Sequence, residues 1–541
     1  MRLLKLRPTS YLLVAVLVVA AILRLNHITQ PFNDAFSWRQ SDTAIMADNF
    51  YHRNWNIFYP GVSWNGPEPN YQGMEFQTVT YIAALLYRLV GQHDWVGRGV
   101  AVVFGLWGIF ALYQLVRCVW DEERAIASAA LMAILPGSIF IDRSFLPDPV
   151  MVALVTTSCW LLVAYLQSDR WHYLLLASAV GAWGFMTKLP GLIVGIPMLY
   201  GMLTILYHQQ KLNFKKLATI TMMAVITLAA VIAYYLWARH LSLNFPPYHI
   251  AASGNWLWDD GLAQWLSHKY FFPELKHHFT GWIWTVPVIV LVLFSLLFPP
   301  PKQKHQSLPD EAPFSSSVKA PLFFHWWLLA GLIFYVFGAK ELVHNPWNFH
   351  IINPAAAALG GHALVSITSF ATRPIKSHIA IVITAILLLF IGSSAQKGLS
   401  YMYSAYADEG YKLGLALRQV TQPSDLVVTI ANAVGDPIAI YYSQRRGWIF
   451  PPAWPQQTWD QLPEDDTDAI QLLEKLREKR AGWIGIVDER RKEILQNYPL
   501  FVKHLERTCK LEQESPDWVI YRILTPKEIA KLPEPALGHL S

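Results

Sequence analysis

Long apolar runs separated by short polar breaks occupy the first 395 residues, and a mixed pattern follows. A membrane-crossing helix needs about 20 mostly apolar residues. Runs of this kind lie at 11–28, 98–118, 124–142, 148–167, 171–187, 189–207, 216–237, 280–298, 321–338, 349–370 and 377–395, which predicts eleven spans. The run 76–90 is shorter than a span and fits a helix lying at the membrane interface. Residues 29–97 and 238–279 read as large loops, the second rich in aromatics, and 299–320 as a polar linker rich in Pro and Ser. Beyond 395, helical periodicity at 408–420, 466–480 and 489–497 alternates with strand-like runs at 426–431, 483–487 and 518–523. That alternation predicts a small α/β domain over 396–541. The expected fold is a polytopic α-helical membrane protein, with a transmembrane domain at 1–395 and this domain appended.

Charge sets the sidedness. With 76–90 left out of the membrane and the N-terminus inside, Arg2, Lys5, Arg7, Arg117, Arg124, Arg170, Lys211, Lys215, Lys216, Lys302, Lys304, Arg373 and Lys376 all fall on the cytoplasmic side. Counting 76–90 as a span would invert most of them. Both large loops and the C-terminal domain are therefore expected outside, and 299–320 inside. The start of the chain, with Arg2 and Lys5 before an apolar run, also has features of a signal peptide. The run is long, and Leu23-Arg24-Leu25-Asn26 follows it instead of a small-residue cleavage site, so it reads as a retained span.

Composition agrees with this class. Of 541 residues 53% are hydrophobic and 15% charged, and the mean hydropathy is +0.27; soluble domains carry about a quarter charged residues. The net charge of +5 is spread over short loops and forms no basic stripe, which argues against a nucleic-acid partner. Cys118, Cys159 and Cys509 are too scattered for a disulfide framework or a zinc site, and no cofactor or metal is implied.

Ionisable residues close to the outer ends of the spans carry the candidate chemistry. In FNDAFSWRQSDTAIMADNFY (32–51), Asp42 precedes the apolar-periodic Ile45, Met46 and Phe50. It reads as a general base beside the membrane, and equally as a helix N-cap. Asp34 is a second candidate base, Arg39 beside Trp38 a phosphate holder or a headgroup anchor, and Glu75 the start of the interfacial helix. Asp148, held between Pro147 and Pro149 at the next outer turn, reads as a site acid or as the cap of the helix that follows, with its neighbour Arg143 as the expected ion-pair partner. Lys188 sits in GFMTKLPGL with no aqueous loop around it, and an ammonium at that depth points to function. Its natural partner is a phosphate. His344 and His350 in VHNPWNFHIINP complete the set as residues that could line a site or contact an acceptor.

The order of WRQSDTA, NFYHRNWNIFYP, SFLPDP and MTKLPG, with a closing outer domain, resembles the GT-C membrane glycosyltransferases. The branch is that of the protein O-mannosyltransferases and the lipid A aminoarabinose transferase, and the resemblance covers about residues 1–370. It implies transfer of a sugar from a polyprenyl-phosphate donor to an acceptor hydroxyl (glycolipid, polysaccharide or protein) on the outer side of a bacterial plasma membrane. The transfer would be a single inverting displacement. By position, Asp42 becomes the base, Asp148 a second acid and Lys188 a phosphate holder, with Arg39 and Arg143 in support. The chain departs from its relatives at the head of the juxtamembrane helix, where Arg39-Gln40 replaces an Asp-Glu pair, so the base is either Asp42 or Asp34. Glu75 stands where relatives often carry a Lys.

A transporter or flippase is the rival reading. Such folds are built from repeats with charges at mid-membrane depth; here no repeat is evident and the charges sit at span ends. A scaffold without chemistry is the third class.

Overall fold

The structure is a computed structural model that describes residues 8–67, 69–248, 271–300, 320–338, 342, 345–371, 377–455 and 458–531. Most of the linker expected at 299–320, the middle of the loop expected at 238–279, and His344 lie outside them. The chain divides into two units: one of Met1–Thr29, Met74–Arg239 and Ala251–Tyr403, the other of Gln30–Gly73, His240–Ile250 and Ser404–Ser541.

The first unit is a helical bundle. Where the hydrophobic pattern predicts eleven spans, six helices among the described residues are long and apolar enough to cross a membrane, or up to eight if each of two bent pairs is one span. Thr9–Leu25 begins at the edge of the described residues, and the rest of the shortfall is one of length: Phe323–Phe337 has 15 residues and Trp171–Thr187 has 17. At about 1.5 Å per residue such helices fall short of a hydrocarbon core about 30 Å thick. Thr78–Val90, the expected interfacial helix, is likewise short. At the bundle's centre runs Asp148–Ser168, with 94% of its apolar window buried, whereas Phe214–Asn244 is only 22% buried and turns apolar side chains outward.

Proline shapes the bends. Glu122–Ile134 and Pro136–Arg143 meet at 64°. Pro136 lacks the N–H that would continue the ladder, and it forces Leu135 into an extended conformation (φ −61°, ψ 127°). The second pair, Phe272–Trp282 and Val286–Leu297, bends by 98° with Pro287 at its restart. The first bend gives Asp142 and Arg143 a short helix of their own.

The second unit is α/β. Its strands are β1 (Leu426–Ile430), β2 (Arg446–Ile449), β3 (Trp483–Val487), β4 (Cys509–Ser515) and β5 (Trp518–Ile523), in the order β2-β1-β3-β5-β4. β1 pairs in parallel with β2 and β3, with Val428 between Trp448 and Ile484, while β5 runs antiparallel to β3 and β4. The hydrophobic pattern anticipates β1, β3 and β5. It does not reveal β2, which has four residues, or β4, which is mostly exposed. Val428, Trp448, Ile484, Leu473, Leu476 and Phe501 form the core beneath the sheet. Residues 30–73 belong to this unit, and with them the helix Ser37–His52. That helix is polar in sequence yet buried over most of its length. Buried polar surface is the informative departure from a simple core.

Candidate active site

In the first unit Lys188 and Asp148 meet. The helix Trp171–Thr187 ends at Lys188, whose extended backbone (φ −163°, ψ 130°) breaks the chain before the 3-10 turn Leu189–Val194. Asp148 opens the helix Asp148–Ser168. Each charge thus occupies the helix end whose dipole favours it, the cation at a C-terminus and the carboxylate at an N-terminus. Close helix packing brings them together: a Cβ at Gly184 would lie 2.9 Å from Val155 Cγ1 and 3.1 Å from Leu154 Cβ. The Lys188 ammonium donates to Asp148 Oδ1 at 2.8 Å, with the two side chains 10% and 0% exposed. Asp148 Oδ2 is buried without a hydrogen-bond partner among the described residues. One of the three ammonium N–H groups is engaged in this bond. The capping alternative for Asp148 is not realised, since its carboxylate reaches Lys188 and no side chain caps the helix.

Other residues gather near this pair. Tyr335 lies within electrostatic range of Asp148, bonds Asn348 O at 3.0 Å and stacks on Phe349 at 4.1 Å. Phe76 N and Tyr235 Oη both donate to Met186 O, at 3.0 and 3.2 Å. The buried Glu75 thereby sits next to a residue bonded to the turn that carries Lys188.

A second buried network occupies the same unit. Asp142 accepts from Arg24 Nη2 at 2.8 Å and from Arg24 Nε at 2.9 Å on Oδ2, and pairs with His350 Nε2 at 2.8 Å on Oδ1. Trp284 Nε1, which can only donate, meets Asn353 Oδ1 at 2.9 Å. That leaves the Asn353 amide nitrogen for His350 Nδ1 at 3.0 Å and Ser138 Oγ at 3.2 Å. His350 therefore has both ring nitrogens engaged in the interior. Arg24 and Asp142 are not singled out by sequence reasoning; an acid inside an apolar span was the available signal. Arg143 is buried, donates to His27 O at 2.9 Å, and lies over Phe140 and Tyr403 at 5.2 and 4.9 Å. No ion pair between Arg143 and Asp148 is found among the described residues.

In the second unit the helix Ser37–His52 carries Asp42, Arg39 and Trp38. Phe36 stands at the N-cap position, so Asp42 lies inside the helix and caps nothing. Its carboxylate is fully buried and held on both sides: Arg39 Nη1 reaches Oδ2 at 3.0 Å, and Trp64 Nε1 donates to Oδ1 at 2.8 Å. Asp34, also buried, accepts from Gln40 Nε2 at 2.5 Å. Trp38 stacks on Trp459 at 5.9 Å, and Arg39 lies 5.9 Å from the Trp38 ring. Among the described residues no three His, Cys, Asp or Glu side chains gather as a metal-ligand set.

Comparison with solved structures gives matches over more than nine-tenths of this chain. ArnT from Cupriavidus metallidurans, bound to undecaprenyl phosphate, aligns over 95% of this chain and 98% of its own, with 10% identity and a TM-score of 0.58. The oligosaccharyltransferase AglB from Archaeoglobus fulgidus, in complex with an inhibitory peptide and a dolichol-phosphate, aligns over 93% and 73%, with 12% identity and a TM-score of 0.56. The chain has the GT-C fold. Residues 78–237 match the family described as dolichyl-phosphate-mannose-protein mannosyltransferase. That matched segment holds Asp142, Asp148 and Lys188. No curated protein matches the chain.

Proposed function

We propose that the chain is an integral membrane glycosyltransferase that moves a monosaccharide from a polyprenyl-phosphate carrier to an acceptor hydroxyl outside a bacterial plasma membrane. The observation that carries this reading is the Lys188–Asp148 pair, a buried ammonium and carboxylate whose hydrogen-bonding capacity is only partly used. An unfilled polar site inside a bundle is costly unless a ligand completes it. A phosphate oxygen suits the remaining ammonium protons. The fold and the match over 78–237 support the same class of donor.

The reaction is a single displacement. The acceptor oxygen forms the new bond at the anomeric carbon as the bond from that carbon to the phosphate oxygen breaks, with inversion. Asp42 takes the acceptor proton, with Asp34 as the other candidate for that role. Lys188 stabilises the departing phosphate, Asp148 orients Lys188, and Arg39 and Arg143 add positive charge. Preorganised cations at a developing anion supply much of the acceleration in such chemistry. Trp38 and Glu75 are proposed to line the sites for the sugar and the acceptor.

Membranes carrying the chain, given undecaprenyl-phosphate-linked mannose, aminoarabinose and N-acetylglucosamine in parallel, test this by release of undecaprenyl phosphate. Asp42→Asn should lower release by about 10²–10⁴-fold at normal protein level, the usual contribution of a general base. The corresponding Asp34→Asn loss would move the role to Asp34. Unchanged release by both variants removes the enzyme reading.

A further inference from the structure

The Asp42 carboxylate is fastened from outside its own helix. Trp64, 2% exposed, donates its indole N–H to Asp42 Oδ1 at 2.8 Å. Trp64 itself has no helix to hold it; residues 63–66 lie along the outer edge of β2. Gly447 N bonds Ser63 O and Ile449 N bonds Trp64 O, both at 3.1 Å, and Gly66 N bonds Gly447 O at 2.6 Å. Asn65 faces Trp448 in an antiparallel bridge. Its amide also clamps Ala453 at both backbone groups, donating to the carbonyl at 2.8 Å and accepting from the N–H at 3.2 Å. Gly66 makes the approach possible, since its φ is +104° and a Cβ there would stand 2.7 Å from the Trp448 indole nitrogen. Trp459 lies 6.1 Å from the Trp64 ring and 5.9 Å from Trp38, so aromatic rings brace the indole.

We propose that Trp64 is a positioning residue for the Asp42 carboxylate, and that the edge of β2 in the C-terminal α/β segment fixes it through Asn65 and Gly66. This rests on the reading of Asp42 as the base. An indole N–H suits that role because it donates one directed hydrogen bond, carries no charge and cannot take up a proton. It restrains one oxygen while Arg39 restrains the other, and together they fix the plane in which the carboxylate meets the acceptor proton. The C-terminal segment thereby becomes part of the catalytic machinery instead of an appended module.

The experiment compares Trp64→Phe and Asn65→Ala with the full-length parent in the release assay across pH. Phe keeps the ring and deletes the donor. Its kcat should fall about 10- to 100-fold with little change in KM, the scale of loss for a misplaced reacting group. The acid limb of kcat/KM should move up by about one pH unit, because a hydrogen bond to the charged form has been lost. Asn65→Ala, which leaves Trp64 and Asp42 intact, should move both in the same direction by less. A purely structural role would lower the amount of folded protein and leave the pH profile where it is. If Trp64→Phe does not accumulate, Asn65→Ala decides by the same profile. A parental kcat and pH profile in the variants, with Asp42→Asn inactive, overturns this proposal alone; an Asp42→Asn chain that still transfers overturns it together with the assignment of the base.

Discussion

Asp142 and Asp148 lie six residues apart, each buried in the bundle and each facing a cation. They are satisfied to different degrees. Around Asp142 both oxygens are taken, and the remaining Arg24 donors reach Ala133 O at 3.0 Å and Met132 O at 3.3 Å. Asn353, Trp284 and Ser138 close the ring. A planar guanidinium with five donors can be consumed completely in this way, and the result ties together the helix Pro8–Leu25, the short helix Pro136–Arg143 and the turn Pro346–Ile352. Around Asp148 one oxygen and one ammonium proton are used. The first arrangement is complete without a ligand and the second is not. Asp436 in the α/β unit is a third case, a buried carboxylate with hydrogen bonds from the Ser37 hydroxyl and Ile438 N. Burial pushes it up to about 6, against the opposing pull of those two bonds.

The largest test of the contrast is Arg24→Met. It strands Asp142 in the interior and should cost about 3–5 kcal/mol, read as a lowered unfolding midpoint in detergent or as loss from the membrane fraction. A parental midpoint would mean that the network holds nothing. Next, the double variant Lys188→Met/Asp148→Asn removes both charges at once, so the bundle should fold normally. Release of undecaprenyl phosphate should nevertheless drop about 10²–10³-fold, or about 3–4 kcal/mol of barrier. A variant that unfolds like Arg24→Met would erase the distinction between the two pairs. The smallest effect concerns Asp436. Its folded pKa lies above the value of an exposed carboxylate, so its contribution to stability is full below about pH 4 and is lost as pH rises through about 6. A shift from 3.8 to about 6 corresponds to about 3 kcal/mol at most. Asp436→Asn should flatten that part of the stability–pH curve of the full chain, and an unchanged slope would assign it to other groups.

Much of the bundle was legible because apolar run length is a one-dimensional signal. Lys188 was legible for the same reason: an ionisable residue with apolar sequence on both sides stands out without any partner in view. The bend at Leu135 was written in Pro136 but lay inside an apolar run that reads as one span. His350 looked like a loop residue, because Pro346 and Asn348 interrupt the pattern before it, yet the turn lies buried among Asp142, Asn353 and Trp284. Trp64 was illegible: with 23 tryptophans in the chain, nothing local marks the one whose N–H meets a carboxylate 22 residues earlier.

By itself the sequence determined the membrane class, the candidate ionisable residues and most elements of the α/β segment. These follow from hydrophobicity, period and proline, each a property of neighbours along the chain. Only the tertiary structure decided which acid meets which cation, which pair is left incomplete, and that residues 63–66 join the edge of β2. Those pairings close loops of tens to hundreds of residues, and no local pattern encodes the geometry at which two such distant groups come to 2.8 Å.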